Sequence, residues 1–84
     1  MADEPVEALV GYISGNVRRK QVAEALSKGV EDSVALGKHT RIPRLSLEKI
    51  LDEMAGKKIV KKEKDGYKLT EAGMKATEVM KSIH

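Results

Sequence analysis

Apolar residues recur at helical spacing over most of this chain, and the places where the spacing breaks mark out its elements. Val6, Leu9, Val10 and Ile13 fall at i, i+3, i+4 and i+7, one face of a helix over about residues 4–14. Pro5 suits its first turn, and Asp3 and Glu4 suit the positive end of its dipole. Gly15-Asn16 interrupts the pattern. Asn16 can cap a second helix over about 17–28, with Val22, Ala25 and Leu26 turned inward and Gly29 ending it. Val30 and Glu31 read as a short extended stretch able to pair with a later hairpin. Asp32 or Ser33 can cap a third helix over 32–39, whose apolar positions are Val34, Ala35 and Leu36.

Thr40-Arg41-Ile42 makes a turn, and Pro43 opens a fourth helix over 43–55, where its missing N–H costs nothing. Leu47, Ile50, Leu51 and Met54 repeat the inward spacing, while Arg44, Leu45, Glu48, Lys49 and Asp52 take the opposite face. Gly37 is expected to let the third helix approach the fourth closely, with Ile42 closing the turn. Gly56 ends the fourth helix. The segments IVKKEK and YKLT then flank Asp65-Gly66, a dipeptide suited to a two-residue turn, which predicts a hairpin over 59–69. Thr70 caps a last helix, 70–83, with Ala72, Ala76, Val79, Met80 and Ile83 along one face. No linker, repeat or low-complexity stretch divides the chain. The expected fold is mainly α with a small β-hairpin (α+β), one domain over 1–84, with 1–16 an N-terminal helix and 17–84 the core.

Composition narrows the function classes. Apolar residues make up 40% of the 84 and charged residues 35%, which suits a small soluble helical protein rather than a disordered tail. Without Phe or Trp the core must be aliphatic. Only Tyr12 and Tyr67 could stack on bases, which disfavours single-strand binding, and Tyr67 is better placed to pack the hairpin on the core. The lack of Cys excludes a disulfide framework and a cysteine metal site. No apolar run approaches the roughly 18 residues of a membrane span, and the acidic N-terminus is unlike a secretory signal. These features point to a cytoplasmic protein.

Charge is unevenly spread. Residues 1–16 carry Asp3, Glu4 and Glu7 and no base, so that with +3 overall the remainder is +6. Residues 57–68 hold six lysines against Glu63 and Asp65. Such a cluster favours a polyanionic partner; the alternative is a solvated lysine face that keeps the protein soluble.

The order helix, helix, helix, helix, hairpin, helix resembles the winged helix-turn-helix family, particularly small prokaryotic and archaeal transcription regulators of the ArsR and MarR type. The resemblance rests on GNVRRKQVAEALSKG, similar to their first core helix. It rests also on VALGKHTRIPRLSLEKILDEMAGKKIVKKEKDGYKLTEAG, similar to their helix-turn-helix, wing and following helix. It implies sequence-specific binding to double-stranded DNA, with helix 43–55 in the major groove. On that reading Arg44, Leu45, Ser46, Glu48 and Lys49 meet base edges: Arg44 and Lys49 donating to guanine, Leu45 against a thymine methyl, Glu48 accepting from cytosine. Arg41, Lys61, Lys62, Lys64 and Lys68 meet the backbone, where contacts give affinity without sequence information. Dimeric relatives self-associate through helices in these flanking positions, so the resemblance allows a homodimer through 4–14 and 70–83; the alternative is that both complete a monomer's core. Arg41 stands where the family often has glycine. Either the arginine adopts a left-handed conformation at some cost, or the turn has another geometry.

A winged helix can also serve as a protein–protein interaction module without any direct DNA role, and outward Leu45 suits that reading. Met74, outside the apolar stripe of the last helix, raises the same question. Arg18 and Arg19 are expected to pair with acidic neighbours or remain solvated, and His39 to sit on a helix surface. Catalysis is not expected: there is no cysteine nucleophile, no glycine-rich phosphate loop and no histidine pair at metal-ligand spacing, and Ser33 and His39 gather no acid–base partners. No cofactor or metal is expected either.

Overall fold

The computed structural model describes residues 5–29, 32–64 and 66–82. It is mainly helical with one small antiparallel hairpin, in the order α1 (Val6–Ser14), α2 (Val17–Ser27), α3 (Ser33–Thr40), α4 (Arg44–Gly56), β1 (Val60–Glu63), β2 (Gly66–Leu69) and α5 (Glu71–Ser82). The expected extended stretch at Val30–Glu31, and Ile83 of the last helix, lie outside the described residues.

Helix starts follow the capping residues. The Asn16 side chain accepts from the backbone N–H of Arg18 and Arg19 at 2.9 and 3.2 Å, and Asp32 accepts from Val34 at 3.1 Å. Pro5 and Pro43 stand one residue before their helices, in extended conformation and with no side-chain cap bond. Gly29 takes φ +92° just past α2, as a helix-ending glycine does.

The core is aliphatic. Leu9 and Ile13 of α1 are buried, with Val6 and Val10 partly buried beside them. From α2 come Val22, Ala23, Ala25 and Leu26; from α4 come Leu47, Leu51 and Met54. α1 packs on both α2 and α5 within the one chain. Of the apolar positions of α3 only Leu36 is buried, and Val34 is 62% exposed.

Between α3 and α4 the chain turns over three residues. Arg41 takes the left-handed conformation (φ 61°, ψ 24°), and its N–H donates to the Gly37 carbonyl at 2.8 Å. Ile42 is buried in the turn, its N–H reaching the Thr40 hydroxyl at 3.3 Å. Gly37 is less critical than expected. A β-carbon there would meet Leu47 Cδ2 at 3.8 Å and the Ile42 carbonyl at 3.9 Å, ordinary contact distances.

The hairpin pairs Val60 with Leu69, Lys61 with Lys68, Lys62 with Tyr67 and Glu63 with Gly66. Gly66 therefore belongs to β2, not to the turn, one residue away from the expected arrangement. Buried Val60, Tyr67 and Leu69 share one face of the ribbon, and a slip of one residue would expose them. Tyr67 packs the hairpin onto the core as expected.

α5 is also rotated relative to expectation. Its buried residues are Gly73, Ala76, Thr77 and Met80, while Val79 is 39% exposed. At 3.6 residues per turn this is roughly a fifth of a turn from the stripe read in the sequence, with Ala76 and Met80 common to both. The cause is the seating of Gly73 against the Ile59 backbone. Thr77, buried and polar, is satisfied by donating to the Gly73 carbonyl at 2.8 Å.

Candidate nucleic-acid interface

α4 is held by Leu47, Leu51 and Met54 on one side, so its other side must face outward. Arg44, Leu45, Lys49 and Asp52 are exposed there, with Glu48 half-buried beside them and Ser46 half-buried at the edge. The helix thus brings Arg44, Leu45, Glu48 and Lys49 onto one face. Arg44 Nε lies 3.2 Å from Glu48 Oε2, an i,i+4 ion pair with side chains 87% and 45% exposed. Leu45 is 82% exposed, an uncommon position for a large aliphatic group beside charged neighbours.

Arg41 is exposed at the turn immediately before this helix. The register divides the four hairpin lysines. Lys61 and Lys68 are directly opposite each other on the face away from Val60 and Leu69, whereas Lys62 lies across from Tyr67 on the other face. Lys64 follows β1 and is exposed. Lys61 is also 3.8 Å from Glu63, an exposed and long pair of little energetic weight.

Two grooves separate these residues further. One, of about 350 Å³, runs between α3 and α4 and includes Val34, Ile42, Arg44 and Glu48. The other, of about 520 Å³, is walled by the end of α2, the hairpin and α5, and includes Lys61 and Lys68. No residue of α4 lines the second groove. The α4 face and the Lys61–Lys68 pair are therefore distinct surfaces.

One cationic cluster has no counterpart in the sequence reading. The Arg19 guanidinium stacks 3.9 Å from the Tyr12 ring centroid and donates from Nη1 to the Tyr12 carbonyl at 2.9 Å. Lys57 Nζ lies 5.2 Å from the same centroid. Arg19 thus finds an aromatic face, not the acidic neighbour or open solvent expected of it, because the contact crosses the α1–α2 break and follows no i,i+4 rule. Tyr12 is occupied by this contact.

Among the described residues no group of His, Cys, Asp and Glu is placed to hold a metal ion, and no helix is long and apolar enough to cross a membrane. His39 lies on the surface of α3. Comparison with known protein families, curated proteins and solved structures finds no match to this chain.

Proposed function

We propose that the chain is a winged helix-turn-helix protein that binds double-stranded DNA in a sequence-specific way, as a transcription regulator. The observation that carries this reading is the outward face of α4. Arg44, Leu45 and Lys49 stand exposed on a helix anchored from behind by Leu47, Leu51 and Met54, directly after the exposed Arg41. A rigid helix with a basic, partly apolar face suits major-groove reading. The exposed lysines of the following hairpin suit the flanking phosphates.

The test is duplex binding across a salt series, comparing the parent protein with Arg44→Ala/Lys49→Ala. The proposal expects affinity to fall with a log–log slope of about −0.9 per phosphate neutralised. The double variant should lose preference among sequences, and Lys62→Ala should weaken all sequences alike. Absent or salt-insensitive binding would sink the proposal.

A second reading, a protein–protein interaction module, is favoured by Leu45 at 82% exposure and by the Arg44–Glu48 pair, which partly neutralises the face. Leu45→Ala separates the two. It should abolish partner capture in that case and only trim DNA affinity in the first.

The homodimer belongs to the DNA-binding proposal. α1 and α5 already bury their shared side within one chain, so self-association would use their remaining faces, where Val79 is 39% exposed. Sedimentation at two concentrations tests it, and a monomer mass at high micromolar concentration counts against it.

A further inference from the structure

We propose that the groove between the hairpin and α5 is a binding site for a small organic anion with an apolar body, such as a medium-chain carboxylate. The site stands on the groove itself and does not depend on the DNA reading. Its volume of about 520 Å³ lies within the range of small-ligand clefts.

Charge defines one part of it. Lys61 and Lys68 are a direct cross-strand pair on the groove face, an arrangement in which like charges repel and weaken the hairpin. An anion between them would convert that repulsion into two charge-assisted contacts. Lys81 of α5 lines the same groove, its Nζ donating to Ser27 Oγ at 3.3 Å. Against these three ammonium groups stand Glu71 and Glu78. The long Lys61–Glu63 pair is exposed and offers little competition.

Apolar surface defines the rest. Met74 lines the groove and is 50% exposed, with Leu26 and Leu69 forming buried surface at its base. A methionine wall adapts to a flexible hydrocarbon. Inorganic phosphate would use the lysines and ignore Met74; a neutral alcohol would do the reverse. Only a ligand with both parts uses the groove as built.

The test is titration of the full chain with octanoate, octanol, octylammonium and inorganic phosphate, followed by two-dimensional amide NMR. Octanoate is expected to give saturable shifts at Lys61, Lys68, Met74 and Thr77, with octanol and phosphate each at least ten-fold weaker and octylammonium without effect there. Lys61→Gln/Lys68→Gln should weaken octanoate at least ten-fold, and Met74→Gln several-fold. Octanol or phosphate equalling octanoate, shifts centred elsewhere, or no saturation at millimolar octanoate would each overturn the proposal. The four-ligand comparison on the parent protein decides the matter even where a variant folds poorly.

Discussion

Gly73 of α5 lies directly against the carbonyl of Ile59. A β-carbon at that position would overlap the oxygen outright and stand 3.1 Å from the carbonyl carbon and 3.2 Å from Ile59 Cγ2. Neither neighbour can yield cheaply, because one is backbone and the other is fully buried. Gly73→Ala should therefore destabilise the protein by about 1–3 kcal/mol, the usual range for overpacking, read as a lower urea midpoint at unchanged slope. Gly11→Ala is the contrasting case. It is exposed within α1 with no other atoms within 4 Å of an added β-carbon, so alanine should stabilise by about 0.5–1 kcal/mol.

Arg41 holds a left-handed backbone conformation without being glycine. That conformation costs an L-residue roughly 1–2 kcal/mol, partly offset by the greater freedom glycine has in the unfolded chain. Arg41→Gly should thus raise stability by about 0.5 kcal/mol in thermal unfolding, with DNA affinity falling under the proposed function through loss of one phosphate contact. Arg41→Lys keeps the charge and the conformation, so it should change neither quantity much.

Glu48 restrains Arg44 through an exposed pair. Glu48→Gln should cost no more than about 0.3 kcal/mol of stability, since exposed i,i+4 pairs contribute little. Under the proposed function it should tighten binding to duplexes at low salt, because it removes a carboxylate from the face and releases the guanidinium. Unchanged binding by Glu48→Gln would mean that the pair does not hold Arg44 back from DNA, and weaker binding would mean that this carboxylate itself accepts a hydrogen bond from a base.

Thr70 joins the hairpin to α5. Its hydroxyl accepts from the Gly73 N–H at 3.0 Å and has the Lys58 and Ile59 carbonyls within donating reach at 2.6 and 3.1 Å, while its N–H donates to Ile59 at 2.9 Å. Thr70→Val keeps the shape but removes the cap, and should cost about 1–2 kcal/mol, whereas Thr70→Ser should be near neutral. Chemical denaturation of the two variants side by side checks this.

Much of the fold was legible because local rules set it. Asn16, Asp32 and Thr70 announce helix starts by their side-chain chemistry, and the i, i+3, i+4 stripes of α1 and α4 bury Leu9, Ile13, Leu47, Leu51 and Met54 and half-bury Val6, Val10 and Ile50. Sequence pattern and structure part where contacts between distant segments decide. The close seating of Gly73 on Ile59 turned α5 away from the Val79 stripe, and the burial of Val60, Tyr67 and Leu69 set the hairpin register that moved Gly66 into β2. The Tyr12–Arg19 stack joins two helices and leaves no periodic trace. At the candidate site, the exposure of Arg44, Leu45 and Lys49 followed from the inward stripe of α4. The division of the hairpin lysines between two faces required the register itself.

The bonds at Thr70 also have a mechanical consequence. With its amide and hydroxyl fastened to residues 58 and 59 and its oxygen holding the first turn of α5, the base of the hairpin and that helix turn behave as one lever. A load applied at Lys61 or Lys68 is passed by these bonds to Gly73, and through α5 to α1, which packs against it.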